Sequence, residues 1–270
     1  MDFKLPKRAK ISHKGTFGKV LNIAGSEYMP GAAYLSSLSA LKIGCGYCFL
    51  ASEESVIKAV SAQTQNIVFV PVKDIEKQLM TSDVLSVGCG LSTSNGAKKI
   101  FKKALLNAKN IPTVIDADGL NILANIKIKL PENTILTPHP AEAARLLKTS
   151  SDNILNDLKQ SAIEITEKYN CVTVLKSHNT VVCSKNLEIY INHTGNSALA
   201  KAGSGDVLTG IISGLLAQKM DLFEAAKAGV YIHGLCGEAA SKKLTEYSVM
   251  AADLISFIPV VLSEEINNMI

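Results

Sequence analysis

The sequence predicts an α/β protein built on a doubly wound, mostly parallel central sheet, with an antiparallel hairpin added late. Three observations carry this. Short apolar runs alternate with longer stretches of helical periodicity, and strand–helix alternation requires parallel strands joined by helical crossovers. Between residues 180 and 191 two short apolar runs flank Ser184-Lys185-Asn186, the pattern of a hairpin. The chain has 270 residues, 47% hydrophobic and 19% charged, enough to bury a substantial core without disulfides or a structural metal. That composition excludes a disordered or collagen-like chain. No linker or internal repeat interrupts it, so a single domain over residues 1–270 is expected.

The elements follow in order. Residues 19–24 form a strand ending at Gly25. Pro30 suits a helix start, and Ala32, Leu35, Leu38 and Leu41 follow at helical spacing to Lys42. Residues 47–51 form the second strand, and Ser52 is expected to cap a helix over 53–61. Strands over 67–70 and 84–87 precede an amphipathic helix over 97–108, with Lys98, Lys99, Lys102 and Lys103 on its wet face. A strand over 113–115 ends at Asp116, and one over 134–136 leads to Pro138. Helices over 141–147 and 154–168 precede a strand over 172–175. The hairpin covers 180–183 and 187–191. Long helices follow over 207–217 and 222–240, and a last helix starts near Ala251 and breaks at Pro259.

Charge and cysteines narrow the function classes. Lys plus Arg exceeds Asp plus Glu by 28 to 24, a net +4. The basic run at the start (Lys4, Lys7, Arg8, Lys10, Lys14) reads as a solvated arm, so no nucleic-acid face is expected. The first residues lack a signal-peptide core, and no apolar run reaches the ~20 residues of a membrane span; a cytoplasmic protein is expected. Cys45-Gly46-Tyr47-Cys48 follows a helix and precedes a strand, the reverse of a redox C-x-x-C, so buried thiols are expected.

In doubly wound sheets ligands bind beyond the carboxyl ends of the strands. There the sequence places Gly203-Ser204-Gly205-Asp206 at a helix start. Small residues let the backbone approach a ligand, and the helix-start amides favour an anion. Asp206 is either a general base on a hydroxyl attacking phosphorus or a simple helix-start acid. Gly88-Cys89-Gly90 is a second candidate loop or a tight turn. His139 stands between Pro138 and Pro140 on a stiff loop. Asp116, Asp118 and Asn121 could hold magnesium or merely cap a helix. Residues 176–180 offer a lysine and several polar groups between two strands.

Taken in order, His13-Lys14-Gly15, Met29-Pro30-Gly31-Ala32-Ala33, Gly88-Cys89-Gly90-Leu91, Asp116-Ala117-Asp118, Thr137-Pro138-His139-Pro140-Ala141-Glu142, Thr194-Gly195-Asn196, residues 202–210 and Tyr231-Ile232-His233-Gly234 resemble the NAD(P)H-hydrate dehydratase family of the ribokinase-like superfamily. The resemblance spans His13 to about Leu254. It implies a ribokinase-like three-layer α/β/α fold and repair of hydrated NADH or NADPH (the S epimer), driven by ADP or ATP with Mg2+. By the same resemblance Asp206 would be the catalytic base. Ala32, Gly90, His139, Asn196 and Asp206 would contact the hydrated cofactor. Lys176, Ser177, His178, Asn179, Thr180 and Gly205 would contact the adenine nucleotide, and Gly203, Ser204 and Gly205 would form the anion hole. A homotetramer working alongside a separate epimerase, with no epimerase domain in this chain, is also implied. No metal ligand is assigned.

The sequence departs from the expected pattern at Ser177 and Asn179, where glycines are anticipated, at Cys89 in place of proline, and at Ala202 in place of glycine. A vitamin-precursor kinase of the same superfamily would keep the Asp206 loop but lack the long matches around Thr137 and Met29. A nucleotide-binding regulator without turnover would not need an intact Asp206.

Overall fold

The computed structural model describes residues 4–267. Its strands are β1 (Lys19–Ile23), β2 (Tyr47–Ser52), β3 (Val68–Pro71), β4 (Val84–Val87), β5 (Thr113–Ile115), β6 (Thr134–Leu136), β7 (Val172–Leu175), β8 (Val181–Cys183) and β9 (Ile189–Ile191). Its helices are α1 (Pro30–Lys42), α2 (Glu54–Ser61), α3 (Ile75–Leu79), α4 (Asn95–Asn107), α5 (Asp118–Leu123), α6 (Pro140–Leu147), α7 (Ser151–Asn156), α8 (Leu158–Tyr169), α9 (Ser204–Ala217), α10 (Leu222–Ser248) and α11 (Ala251–Asn267).

The strands form one sheet in the order β3-β2-β1-β4-β5-β6-β7-β8-β9. The strands from β1 to β7 pair in parallel; β7–β8 and β8–β9 are antiparallel. Successive side chains on a strand point to opposite faces, and this alternation builds two cores. Val20, Val84, Val114, Ile135, Val174 and Val182 face α1, α9, α10 and α11. Leu21, Leu85, Ile115, Leu136 and Leu175 face α4, α5, α6 and α8 on the other side. The result is the expected three-layer sandwich, its central strands buried on both faces.

The structure corrects four local expectations. Helix α2 starts one residue later than expected, so Ser52 ends β2 instead of capping the helix; Glu53 is the N-cap and makes no side-chain capping bond. The helix expected over 154–168 is two, broken at Asp157, whose carboxylate accepts from the Gln160 amide (2.9 Å) and caps α8. Helix α10 runs on to Ser248 with a non-helical backbone at Thr245. Helix α11 continues through Pro259. That proline faces solvent, while Leu254, Ile255, Ile258 and Val261 bury the opposite face, and packing outweighs the one lost amide. Cys45 and Cys48 are buried free thiols; burial pushes the Cys48 thiol up to about 12, leaving it inert. Among the described residues no helix is long and apolar enough to cross a membrane.

Candidate active site

The chemistry converges where α9 begins. Gly203 is its N-cap at φ +90°, a backbone that favours glycine. A side chain there would also meet Ala251 Cβ at 3.0 Å and Leu35 Cδ1 at 2.6 Å. The first-turn amides of a helix have no carbonyl one turn back to bond and carry the positive end of the dipole. The Ser204 amide donates to the Lys201 carbonyl at 3.2 Å, so the cradle able to take an anion rests on the Gly203 and Gly205 amides. Ser204 is buried, its Oγ 3.1 Å from His233 Nε2. Burial lowers His233 to about 4, so the imidazole is neutral near pH 7.

Asp206 follows in the first turn. Burial, and then the charge of Asp116, push its carboxyl up to about 6, against a hydrogen bond from Cys89 and the attraction of Lys176. A carboxyl near 6 is ionised at neutral pH yet basic enough to take a proton.

Behind the cradle lies a buried polar network. Asp116, at the carboxyl end of β5, is 1% exposed. It accepts from Lys176 Nζ at 2.7 Å and from Thr209 Oγ1 at 2.6 Å. Thr209 stands on α9 one turn beyond Asp206, so this carboxylate ties the helix to the sheet. Lys176 Nζ is also 3.9 Å from Glu142. A side chain at Gly205 would stand 3.4 Å from the ammonium. Burial alone would lower the lysine pKa, but Asp116 and Glu142 raise it above its ordinary value. A fixed positive charge therefore stands beside the helix start, where phosphate charge would be met.

His139 is the N-cap of α6. Its Nδ1 accepts from the Ala141 amide (3.2 Å), and Glu142 accepts from the His139 amide (2.8 Å), a reciprocal capping box. Burial, and then Lys176, lower the imidazole pKa. Burial raises Glu142. The Lys176 amide donates to the Pro138 carbonyl (2.8 Å), which locks this loop to the β7–β8 loop.

A cavity of about 650 Å³ opens in front of these groups, within the range of small-molecule sites. His139, Lys176, Ser177, His178 and Thr180 line one side; Asn196, Ser204, Gly205 and His233 line the other. Ala32 and Gly90 meet each other on the far side of the cradle, where a Gly90 side chain would come 2.7 Å from Ala32 Cβ. Of the expected site residues, His139, Lys176, Ser177, His178, Thr180, Asn196, Ser204 and Gly205 line the large cavity, whereas Gly203, Asp206, Ala32 and Gly90 do not. Asn179 does not line the large cavity. Asn196, expected with the cofactor contacts, stands in the large cavity beside the β7–β8 loop, its amide donating to Ser241 Oγ (2.7 Å). Neither Ser177 nor Asn179 has a positive φ, so neither position requires a glycine backbone.

The residues considered for magnesium are otherwise engaged. Asp116 is held by Lys176 and Thr209; Asp118 accepts from the Ser92 amide (2.8 Å) and from Asn121 Nδ2 (3.3 Å). Among the described residues no group of three or more His, Cys, Asp or Glu could hold a metal ion. The donor set fits a magnesium ion carried on phosphates with its waters, rather than a protein cage. Glu142, Thr209 and His233 escaped the sequence reading as site-builders. The capping-box spacing of His139 and Glu142 was a legible signal; Thr209 and His233 lay within stretches that carry the resemblance, 202–210 and 231–234, without a role of their own.

Residues 20–260 match the family model described as NAD(P)H-hydrate dehydratase. The ADP-dependent (S)-NAD(P)H-hydrate dehydratase of Neisseria meningitidis is 40% identical over 255 residues, covering 92% of this chain and 84% of that one. The bifunctional NAD(P)H-hydrate repair enzyme of Coxiella burnetii is 36% identical over 262 residues; the match covers 96% of this chain and 53% of that protein, so the chain spans about half the length of such relatives. The crystal structure of the ADP/ATP-dependent NAD(P)H-hydrate dehydratase of Bacillus subtilis, co-crystallised with ATP/Mg2+, superposes with a TM-score of 0.87 at 31% identity, over 96% of this chain and 94% of that one. The fold is ribokinase-like.

Proposed function

The chain belongs to the NAD(P)H-hydrate dehydratase family, and from that premise we propose that it restores hydrated NADH or NADPH, the S epimer, to the reduced cofactor at the expense of ADP, giving AMP and phosphate, or of ATP. The observation that carries this reading is Asp206: a carboxyl raised to about 6, at the head of an anion-accepting helix and beside a fixed lysine.

Hydroxide leaves a carbon poorly, whereas phosphate leaves well. Asp206 takes the proton from the hydroxyl of the hydrated ring as that oxygen attacks the terminal phosphorus of the nucleotide. The bond from that phosphorus to the leaving nucleotide breaks, and the amides of Gly203 and Gly205 hold the transferring group, with the Ser204 amide tying the loop to the Lys201 carbonyl and Lys176 behind them. The ring nitrogen's lone pair then expels the phosphate, which takes the C–O electron pair, and the neighbouring ring carbon gives its proton to solvent, leaving the C–H pair as the restored double bond. Ala32, Gly90 and His139 contact the hydrated ring's molecule. Ser177, His178 and Thr180 line the nucleotide's cavity, which Asn196 and His139 share; Asn179 stands beside them in the chain. Magnesium would be held by the nucleotide phosphates; when bound it neutralises phosphate charge.

The bifunctional relatives support pairing with an epimerase activity. We also place the protein in the cytoplasm as one domain assembled into a homotetramer; light scattering at micromolar concentration tests the assembly. The test of function is recovery of reduced-nicotinamide absorbance from hydrated NADH with ADP and magnesium, alongside release of AMP and phosphate. No recovery with either ADP or ATP would sink the reading.

A further inference from the structure

The carboxyl ends of β1 and β2 enclose a second cavity of about 140 Å³, which the mechanism above does not use. Ile23, Leu91 and Ile100 give it an apolar floor; Ser52, Glu53 and Ser92 stand on its polar side, and no lysine or arginine lines it. Ser52 is 6% exposed, and its Oγ has no hydrogen-bond partner among the described residues. Such an orphaned hydroxyl costs stability unless something meets it. Its expected capping role is vacated, because the helix starts beyond it. Gly25, at φ +83°, leaves its approach open: a Cβ there would lie 3.4 Å from Ser52 Oγ.

The sheet order reverses where β1 lies between β2 and β4, the place where open α/β sheets bind ligands. A hydroxyl and a carboxylate above an apolar floor match a sugar: the polar groups meet its hydroxyls and the floor meets its ring carbons. In dinucleotide-binding sheets an acid after the second strand serves a ribose in this way. The cavity is also close enough. Cys89 stands close enough to Asp206 to shift its carboxyl, while Leu91 and Ser92 line the cavity, and three residues span at most about 10 Å. The ribose bonded to the reacting ring must stay beside Asp206, so the cavity falls to the other sugar.

We propose that this cavity binds the ribose of the substrate's adenosine half, with the Ser52 hydroxyl and the Glu53 carboxylate meeting its hydroxyls. The inference rests on the dehydratase reading above. It also sets a preference: a phosphate on that ribose would face Glu53 in a cavity that no lysine or arginine lines, so hydrated NADH is the better substrate and hydrated NADPH the poorer.

The experiment is steady-state kinetics of the full chain with both hydrated cofactors. Ser52→Ala should raise KM for hydrated NADH about fivefold, the worth of one hydrogen bond, with KM for ADP unchanged and Tm unchanged or higher. Glu53→Gln should raise it about tenfold and narrow the gap between the two substrates. Unchanged KM for hydrated NADH in both variants, with the wild type active, would overturn the subsite while leaving the dehydratase reading intact. A rise in KM for both ADP and hydrated NADH together with a lower Tm would mark a structural role and also overturn it. A wild type inactive on both substrates would overturn the parent reading and the subsite with it.

Discussion

At Asp206 function and stability pull in opposite directions. Its folded-state pKa, about 6, lies above the ordinary carboxylate value, so folding favours the protonated form. That contribution is fully present at low pH and is lost as pH rises through about 6. In the proposed role of base, however, Asp206 is useful only when ionised. kcat/KM should therefore climb tenfold per pH unit below about 6 and level off above it, read from a pH–rate profile. Asp206→Asn should abolish turnover, leave ADP affinity by calorimetry nearly intact, and raise Tm at pH 7.5 relative to wild type, with the difference vanishing below pH ~4. Loss of turnover and nucleotide binding together would instead make Asp206 structural. Lys176 shows a different dependence. Breaking a buried pair strands its partner, so Lys176→Met should cost about 3 kcal/mol or more in chemical denaturation, because Asp116 is 1% exposed and would be left charged with Thr209 alone.

Among the elements, α9 decides where Asp206 stands, and its contact with α1 decides where α9 lies. Gly210 and Gly214 admit the α1 backbone so closely that a Cβ on Gly210 would collide with the Ser36 carbonyl and Ser39 Oγ; a Cβ on Gly214 would stand 2.6 Å from the Ala40 carbonyl. Gly210→Ala should destabilise by about 2 kcal/mol, the cost of overpacking, and lower kcat by displacing the cradle; urea unfolding and steady-state rates check both. The apolar periodicity of this helix was legible, as was its start at the Gly203 loop. The break at Asp157 was legible too, in a capping acid followed by Gln160, but the apolar period across it masked the signal. The passage of α11 through Pro259 was not legible, because it depends on which side of the helix is packed.

For the whole molecule, a site assembled from β5, the β6–α6 and β7–β8 loops, α9 and α10 should respond to ligand as a unit. Saturating ADP should raise Tm in scanning fluorimetry, by the equivalent of about 2.7 kcal/mol at ~100 times Kd; no shift with ADP or ATP would place the nucleotide elsewhere. Strand–helix alternation, the late hairpin, and the loops carrying Asp206, His139 and Gly90 were determined by the sequence alone, because period and turn chemistry are local properties of the chain. Only the tertiary structure decided that Asp116 meets Lys176 60 residues away and Thr209 93 residues away, that Ser52 keeps an unmet hydroxyl, and that Asn196 lines the large cavity. Charge interaction and burial depend on separation in space, and that separation is fixed only when the strands have found their order in the sheet.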